Sequence, residues 1–344
     1  MEQNNRNSPR AVVSMVLLLI LAIAAAWLLP KPLGSLVFSA GGGVALTWLI
    51  VALLMFFILI LIGESLGKGA AGILIDPARN MMSLSRLQVV LWTWVILSAL
   101  LTVAVARVGD SLGNPAGYTC PPASAGEEPS CADPLGIQLP ALVWALLGIS
   151  ITSAVGAPLL KANKAQRTAE EDHQRLRAAR LRSRREGGTE EAASYAQALQ
   201  NRIAENPDLQ GQVENTGALV RKTSWTLARF SDIFSGEEIS NFMYVDIAKV
   251  QNFFFTIIAV VAYTVALVAA MVQAGSVAGF FAFPDPGPGL AALISISHAG
   301  YLTDKAFAHS TPETANGDGR GGAPDEGSRA APLAQFPYEE PVED

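Results

Sequence analysis

Histidine and cysteine are nearly missing from this chain, with three and two residues respectively in 344. Three scattered imidazoles and two thiols without a nearby histidine close no four-ligand zinc site, so no metal is expected. Charge is scarce as well, at 16% of residues, against about 25% in ordinary soluble domains. Signals for catalysis are equally thin. GESLGKGA at 63–70 resembles a phosphate loop but has three residues before its Gly-Lys instead of four, and Gly69 where a hydroxyl is required. No nucleophile elbow is present. The chain is therefore not expected to be an enzyme, and no catalytic residue, cofactor or metal ligand is assigned.

What the sequence does have is apolar residues in blocks. They make up 51% of the chain, and uncharged runs occupy 11–29, 44–62, 87–106, 139–157, 253–273 and 287–303. About 20 apolar residues in a helix cross a bilayer core of about 30 Å, which predicts an all-α integral membrane protein with about six spans. The sixth run contains Gly, Ser and His298, so a re-entrant or interfacial segment is its alternative. The first run has a basic start and small residues at 22–26; its length favours an uncleaved helix over a signal peptide.

Lysine and arginine set the orientation. With the N-terminus inside, only Lys31 and Arg107 of the 24 basic residues fall in outside loops, as the positive-inside rule requires. Both termini are then cytoplasmic and the 107–138 loop is external. That loop holds Cys120 and Cys131, which suits a disulfide in an oxidising compartment; two free thiols are the alternative.

One phrase occurs twice. SRLQVVLWTW at 85–94 and AKVQNFFFTI at 248–257 share [RK]-[LV]-Q-x3-[WF]-T, pairing Arg86 with Lys249, Gln88 with Gln251 and Trp92 with Phe255. ALLGIS at 145–150 and ALISIS at 292–297 echo each other too. This predicts two helical hairpins of the same orientation, related by an axis along the membrane normal. Arg86 and Lys249 read as snorkelling interfacial anchors, with Trp92 and Phe255 as aromatic bulk beside them. Gln88 and Gln251, together with Ser150, Ser297 and His298, form a candidate polar site at the membrane edge. Interhelical hydrogen bonding, a hydrated vestibule and a solvated amide are all open readings of the glutamines, and His298 is an ionisable group within a span.

The expected organisation is a two-helix leader (1–62), a first hairpin (63–160), a charged helical cytoplasmic insertion (161–245), a second hairpin (246–305) and a disordered tail (306–344) with eight acids against two arginines. Within the insertion, six arginines between Arg175 and Arg185 offer a site for anionic lipid, with oligomer contacts as the alternative. Nucleic acid is not expected, because no aromatic interleaving accompanies the cluster. Ser235 and Glu238 stand at capping-box spacing before the fifth run.

LIDPARNMMSLSRLQVVLWTW with LLGIS, and FSDIFSGEE followed by VDIAKVQNFFFT and ISHAGYLTDKA, resemble the phrases of an uncharacterised family of bacterial multi-pass inner-membrane proteins. The resemblance covers roughly residues 70–160 and 225–306. It implies a bacterial inner-membrane location and no known activity, so no functional residue is carried over. Two functions remain: a channel or passive transport subunit in the lipid bilayer, or a non-transporting scaffold or signalling subunit. The second would dock a partner protein or a further copy through the insertion and tail.

Overall fold

The computed structural model describes residues 9–29, 40–113, 135–186, 194–275, 280 and 282–307. Cys120, Cys131 and nearly all of the acidic tail lie outside them. The chain is mostly helical. Its long helices are α1 (Pro9–Leu28), α2 (Ala40–Ser65), α3 (Leu84–Gly113), α4 (Ala141–Glu186), α6 (Ile247–Gln273) and α7 (Pro288–Ala306), with a short α5 (Tyr195–Glu205) between α4 and α6. Four of these, α2, α3, α4 and α6, are long and apolar enough to cross a membrane. The first and sixth apolar runs form α1 and α7.

Helix α4 has 46 residues, which at 1.5 Å per residue extend about 70 Å, more than twice a bilayer core. Its apolar part ends at Leu160, and the helix then continues as a charged stretch beginning with the buried Lys161. The alternating charges of that stretch favour helix at i,i+4 spacing.

Helices α2, α3, α4, α6 and α7 share one core, in which Trp48, Trp92, Ile96, Leu146, Tyr263, Leu267, Met271 and Ile294 are buried. Helix α1 packs on α2 through Ala22, Ala25, Ala26 and Val51, small residues that let two backbones approach closely. The opposite helix faces expose large apolar side chains such as Leu17, Ile258, Val265 and Ile296. A surface of that kind suits a hydrocarbon solvent and not water.

The insertion differs from the helical expectation. Beyond α5 it forms an antiparallel hairpin of β3 (Val213–Thr216) and β4 (Leu219–Lys222), followed by 3-10 turns at Trp225–Leu227 and Phe230–Ile233. Tyr195, Ala198, Leu199, Ala218, Val220, Ile239 and Phe242 give it a small core of its own. A second, shorter hairpin, β1 (Ile75–Asp76) with β2 (Met81–Met82), makes the elbow before α3. The two hairpins interlock: the Lys222 amide donates to the Arg79 carbonyl at 2.9 Å, and Asn80 Nδ2 donates to the Lys222 carbonyl at 2.9 Å. Asn80 has φ 52°, a left-handed conformation that asparagine tolerates better than most residues. The Ser235–Glu238 capping box is not formed. Ser235 Oγ donates to the Asp232 carbonyl, the Glu238 amide donates to Asn241 Oδ1, and Asp246 caps α6 by accepting from the Lys249 amide.

The β3–β4 turn reaches α4 at Gly217, where φ is 57° and an added Cβ would lie 2.1 Å from Thr168 Oγ1. That hydroxyl accepts from the Ala218 amide at 3.1 Å. Replacing Gly217 by valine adds both a clash and backbone strain, each of order 1–3 kcal/mol. The expected outcome is a lower thermal unfolding midpoint, with protease cleavage appearing first between residues 195 and 222. Wild-type cleavage at that site would contradict the close packing described.

Candidate ion-pair hub and buried polar cluster

Where the helices meet the polar layer, one carboxylate gathers four cations. Glu237 Oε1 lies 3.4 Å from Arg79 Nη1, 3.5 Å from Lys161 Nζ, 3.2 Å from Lys249 Nζ and 2.5 Å from Lys305 Nζ. These come from the elbow before α3, from α4, from α6 and from α7. The Val220 amide donates to the Glu237 carbonyl and the Ile239 amide to the Ala218 carbonyl, each at 2.9 Å, so β4 fixes Glu237 from its backbone. Arg79 Nε donates to the Val220 carbonyl at 2.9 Å.

Further pairs surround this centre. Lys161 Nζ donates to Asp76 Oδ2 at 2.9 Å, Lys249 Nζ donates to the Ser235 carbonyl at 2.6 Å, and Lys249 lies 3.8 Å from Asp246 Oδ2. Lys164 pairs with the buried Glu238, and Lys222 with Asp232 at 2.7 Å. Lys305 Nζ also sits 4.7 Å from the centre of the Tyr301 ring, within reach of a cation–π attraction.

Burial pushes the Glu237 carboxyl up, but Lys161, Lys249, Lys305 and Arg79 outweigh it and hold the group well below the usual carboxylate range. Burial likewise raises Asp76, and the Lys161 ammonium, its hydrogen bond, the Ala78 amide and Arg79 together bring it below its ordinary value. Both groups are ionised at neutral pH and bind their neighbours in that form.

One turn deeper lies a second, uncharged cluster. Gln88 Nε2 donates to Asn252 Oδ1 at 2.9 Å and to Thr256 Oγ1 at 2.8 Å, and Ser297 Oγ donates to Asn252 Oδ1 at 2.9 Å. His298 Nδ1 and Ser153 Oγ are 3.0 Å apart. Ser85 Oγ donates to the Tyr301 hydroxyl at 3.2 Å, between the two clusters.

The expected site residues divide accordingly. Gln88, Ser150, Ser297 and His298 face the bundle interior, Ser297 half-buried and the others buried, whereas Gln251 is exposed and Asn252 takes the inward position beside Gln88. The offset of 163 that aligns the two phrases is thus one residue out of phase with burial. Ser85, Gln88, Trp92, Val95 and Ile96 are buried on α3, and their burial partners on α6 are Lys249, Asn252, Thr256, Ala259 and Val260.

Lys249 is not a snorkelling anchor; it is 3% exposed and held in the hub. Trp92 is wholly buried against Tyr263, with ring centroids 5.8 Å apart, and is no interfacial belt residue. Arg86 is half-buried, with Nη1 donating to the Ile73 carbonyl at 3.4 Å, and Phe255 is half-buried. The aromatic cluster forms instead among Phe230, Phe234, Phe253 and Phe254. Arg175, Arg177 and Arg180 are exposed on the far part of α4.

Glu237, Asp76, Arg79, Lys305 and Asn252 were not singled out by sequence. The available signal was a single basic residue at the edge of each apolar run together with an acidic pair, Glu237–Glu238, in the loop before α6. No protein family, curated protein or solved structure matches the chain.

Breaking a buried ion pair from one side costs about 3–5 kcal/mol, because the remaining charges are left without a partner. Glu237→Gln, which leaves Arg79 and Lys305 without a carboxylate while Lys161 keeps Asp76 and Lys249 keeps Asp246, is expected to fall within that range, read as a loss of folded protein in a thermal melt in detergent. A change below about 1 kcal/mol would show that the hub is solvated.

Because the folded-state values of Glu237 and Asp76 are depressed, their stabilisation is complete above the unfolded carboxylate range near pH 4 and is lost as pH falls through the folded values. The unfolding midpoint should therefore hold from pH 7 to about 5 and drop below about 4. In Glu237→Gln that acid limb should be shallower.

Proposed function

We propose that the chain is a six-span bacterial inner-membrane protein that carries no solute and acts as a scaffold or signalling subunit. In this reading both termini are cytoplasmic, the 107–138 loop is external, α3–α4 and α6–α7 are two hairpins of the same orientation, and α1–α2 form a leader. The distribution of lysine and arginine supports the orientation. The polar layer of α5, β3–β4 and the basic stretch of α4 is the surface offered to a partner protein or a further copy. Arg175, Arg177 and Arg180 are exposed beside it and suit anionic lipid of the inner leaflet.

The observation that carries this reading is the fate of the polar groups inside the bundle. Gln88, Asn252, Thr256 and Ser297 close on one another across three helices, and His298 closes on Ser153. Such bonds fix which helices neighbour each other, each worth about 0.6 kcal/mol and at most about 2.

A permeation role is the second reading. Gln88 Oε1, Asn252 Nδ2, Ser150 Oγ and His298 Nε2 are buried without a hydrogen-bond partner inside the protein, and water in a narrow path would satisfy them.

The two readings separate in cysteine accessibility. In a variant lacking Cys120 and Cys131, single cysteines at 150, 252, 297 and 298 are treated with a membrane-impermeant thiol reagent from each face, with an exposed control at 180. The scaffold reading expects labelling at 180 alone. Labelling at 150 or 298 would sink it and identify a hydrated path. A second check concerns the inward amide: Asn252→Leu should lower stability by roughly 1–2 kcal/mol, whereas Gln251→Leu, on the exposed face, should change it by less than about 0.5 kcal/mol.

A further inference from the structure

The polar layer contains a groove of about 480 Å³, within the size range of small-molecule sites, about 300–1,000 Å³. Its walls come from the β3–β4 hairpin, the Phe230–Ile233 turn and the stretch leading into α6, and Leu209, Val213, Val220, Phe234, Phe242 and Met243 make them largely apolar. Apolar surface left open in this way marks an interaction site.

Two ring contacts set the height of the groove relative to the membrane. Phe253 is the first residue of the uncharged run 253–273 on α6. The rings of Phe234 and Phe230 have their centroids 5.0 Å and 6.2 Å from that of Phe253, so one wall of the groove stands level with the membrane edge. The apolar surface continues outward from there. Tyr244 and Val245 line the groove and are exposed. Close by, Ile247, Phe254, Ile258, Val261 and Val265 recur at helical spacing along one exposed stripe of α6, the surface that faces hydrocarbon in a bilayer. Of the three ionisable side chains in the walls, Lys222 and Asp232 pair at 2.7 Å, while Arg229 is exposed and in no ion pair. An arginine next to the exposed Phe230 suits the headgroup region, where an aromatic ring and a long basic side chain are both favoured.

We propose that the groove holds one acyl chain of an anionic phospholipid from the leaflet beside the polar layer, with the lipid phosphate on the Arg229 guanidinium and the second chain left in the bilayer against the α6 stripe. A guanidinium fits a phosphate with two parallel hydrogen bonds. Continuity with the hydrocarbon-facing stripe is what selects a lipid over a peptide as the occupant. The site is separate from the exposed arginines of α4 and independent of whether the bundle conducts.

The test is photo-crosslinking of the full chain in phosphatidylcholine nanodiscs that contain phosphatidylglycerol with a diazirine at the end of one acyl chain, mapped by peptide mass spectrometry. Leu209 and Val213 pack on the polar layer's own core, so labelling at 209–213 reports a chain in the groove, whereas labelling at Phe254 and Ile258 reports bilayer contact alone. Both are expected. A diacylglycerol probe with the same chains and no phosphate should label 209–213 roughly fivefold less, the factor that one arginine near the surface gives an anionic headgroup. In Arg229→Gln the two probes should label that wall equally. Val213→Trp, which fills the groove, should abolish labelling of its wall and spare Phe254 and Ile258; if it does not fold, the exposed Arg229→Gln decides the matter. Labelling confined to α6 would leave the groove to a peptide or to water and overturn the proposal. Equal labelling by the two probes in wild type, an unchanged preference in Arg229→Gln, or wall labelling that survives in folded Val213→Trp would each overturn it as well.

Discussion

A single carboxylate surrounded by four cations is the constraint on which the arrangement of this protein depends. Glu237 sits in a loop held through its backbone by the β3–β4 hairpin, and its partners lie on the elbow before α3 and on α4, α6 and α7. Apolar packing brings those helices together but is tolerant of sliding and rotation, since one apolar surface resembles another. Charges at the helix edges are not tolerant in that way: a helix shifted by a turn would leave an ammonium buried and unpaired, at a cost of several kcal/mol. The hub thus sets the relative height of the helices as well as holding the polar layer against them. Whether an ionic cluster is more stable than an apolar one of the same shape is a separate matter, and ion clusters of this kind often are not. Its contribution here is to select one arrangement among many of similar packing energy.

The cluster beneath it extends the same logic without charge. Gln88, Asn252, Thr256 and Ser297 specify the rotation of α3, α6 and α7 about their axes, because a rotation of one residue, about 100°, would carry an amide from partners to hydrocarbon. Ionic pairs fix height and amide pairs fix azimuth, and the two layers lie within about a turn of each other along α3 and α6, where Ser85 and Gln88, and Lys249 and Asn252, are three residues apart.

The apolar runs were legible because a bilayer demands length and composition that few other environments demand, and α2, α3, α4 and α6 follow from them directly. The continuation of α4 beyond Lys161 was legible from its charge spacing. The hub was not, since Asp76 and Lys161 are 85 positions apart and Glu237 and Lys305 are 68 apart, and pairing over such distances is decided by the fold. The inward amide of α6 was misread for a different reason. Matching residue types aligned Gln251 with Gln88, but burial on a helix depends on phase, and in phase the partner is Asn252. The β3–β4 hairpin was missed because VENTGALVRK is short and half polar, its strand pattern four residues long on each side of the Gly217–Ala218 turn.

Helix α4 has a mechanical consequence. It runs without a break from the bundle to Glu186, with Pro158 just ahead of the residue that joins the hub. A proline inside a helix removes one hydrogen bond and marks a place where bending is cheapest. From Lys161 onward some 25 residues project as a lever of roughly 38 Å, tethered at its base by Asp76 and Glu237 and by Thr168 against the hairpin. A tilt of about 10° at the base would displace the arginine-bearing tip by roughly 7 Å, taking the length from the helical rise. Any change in the bilayer that alters how α4 leans would therefore be magnified at its far end, where the positive charge is concentrated.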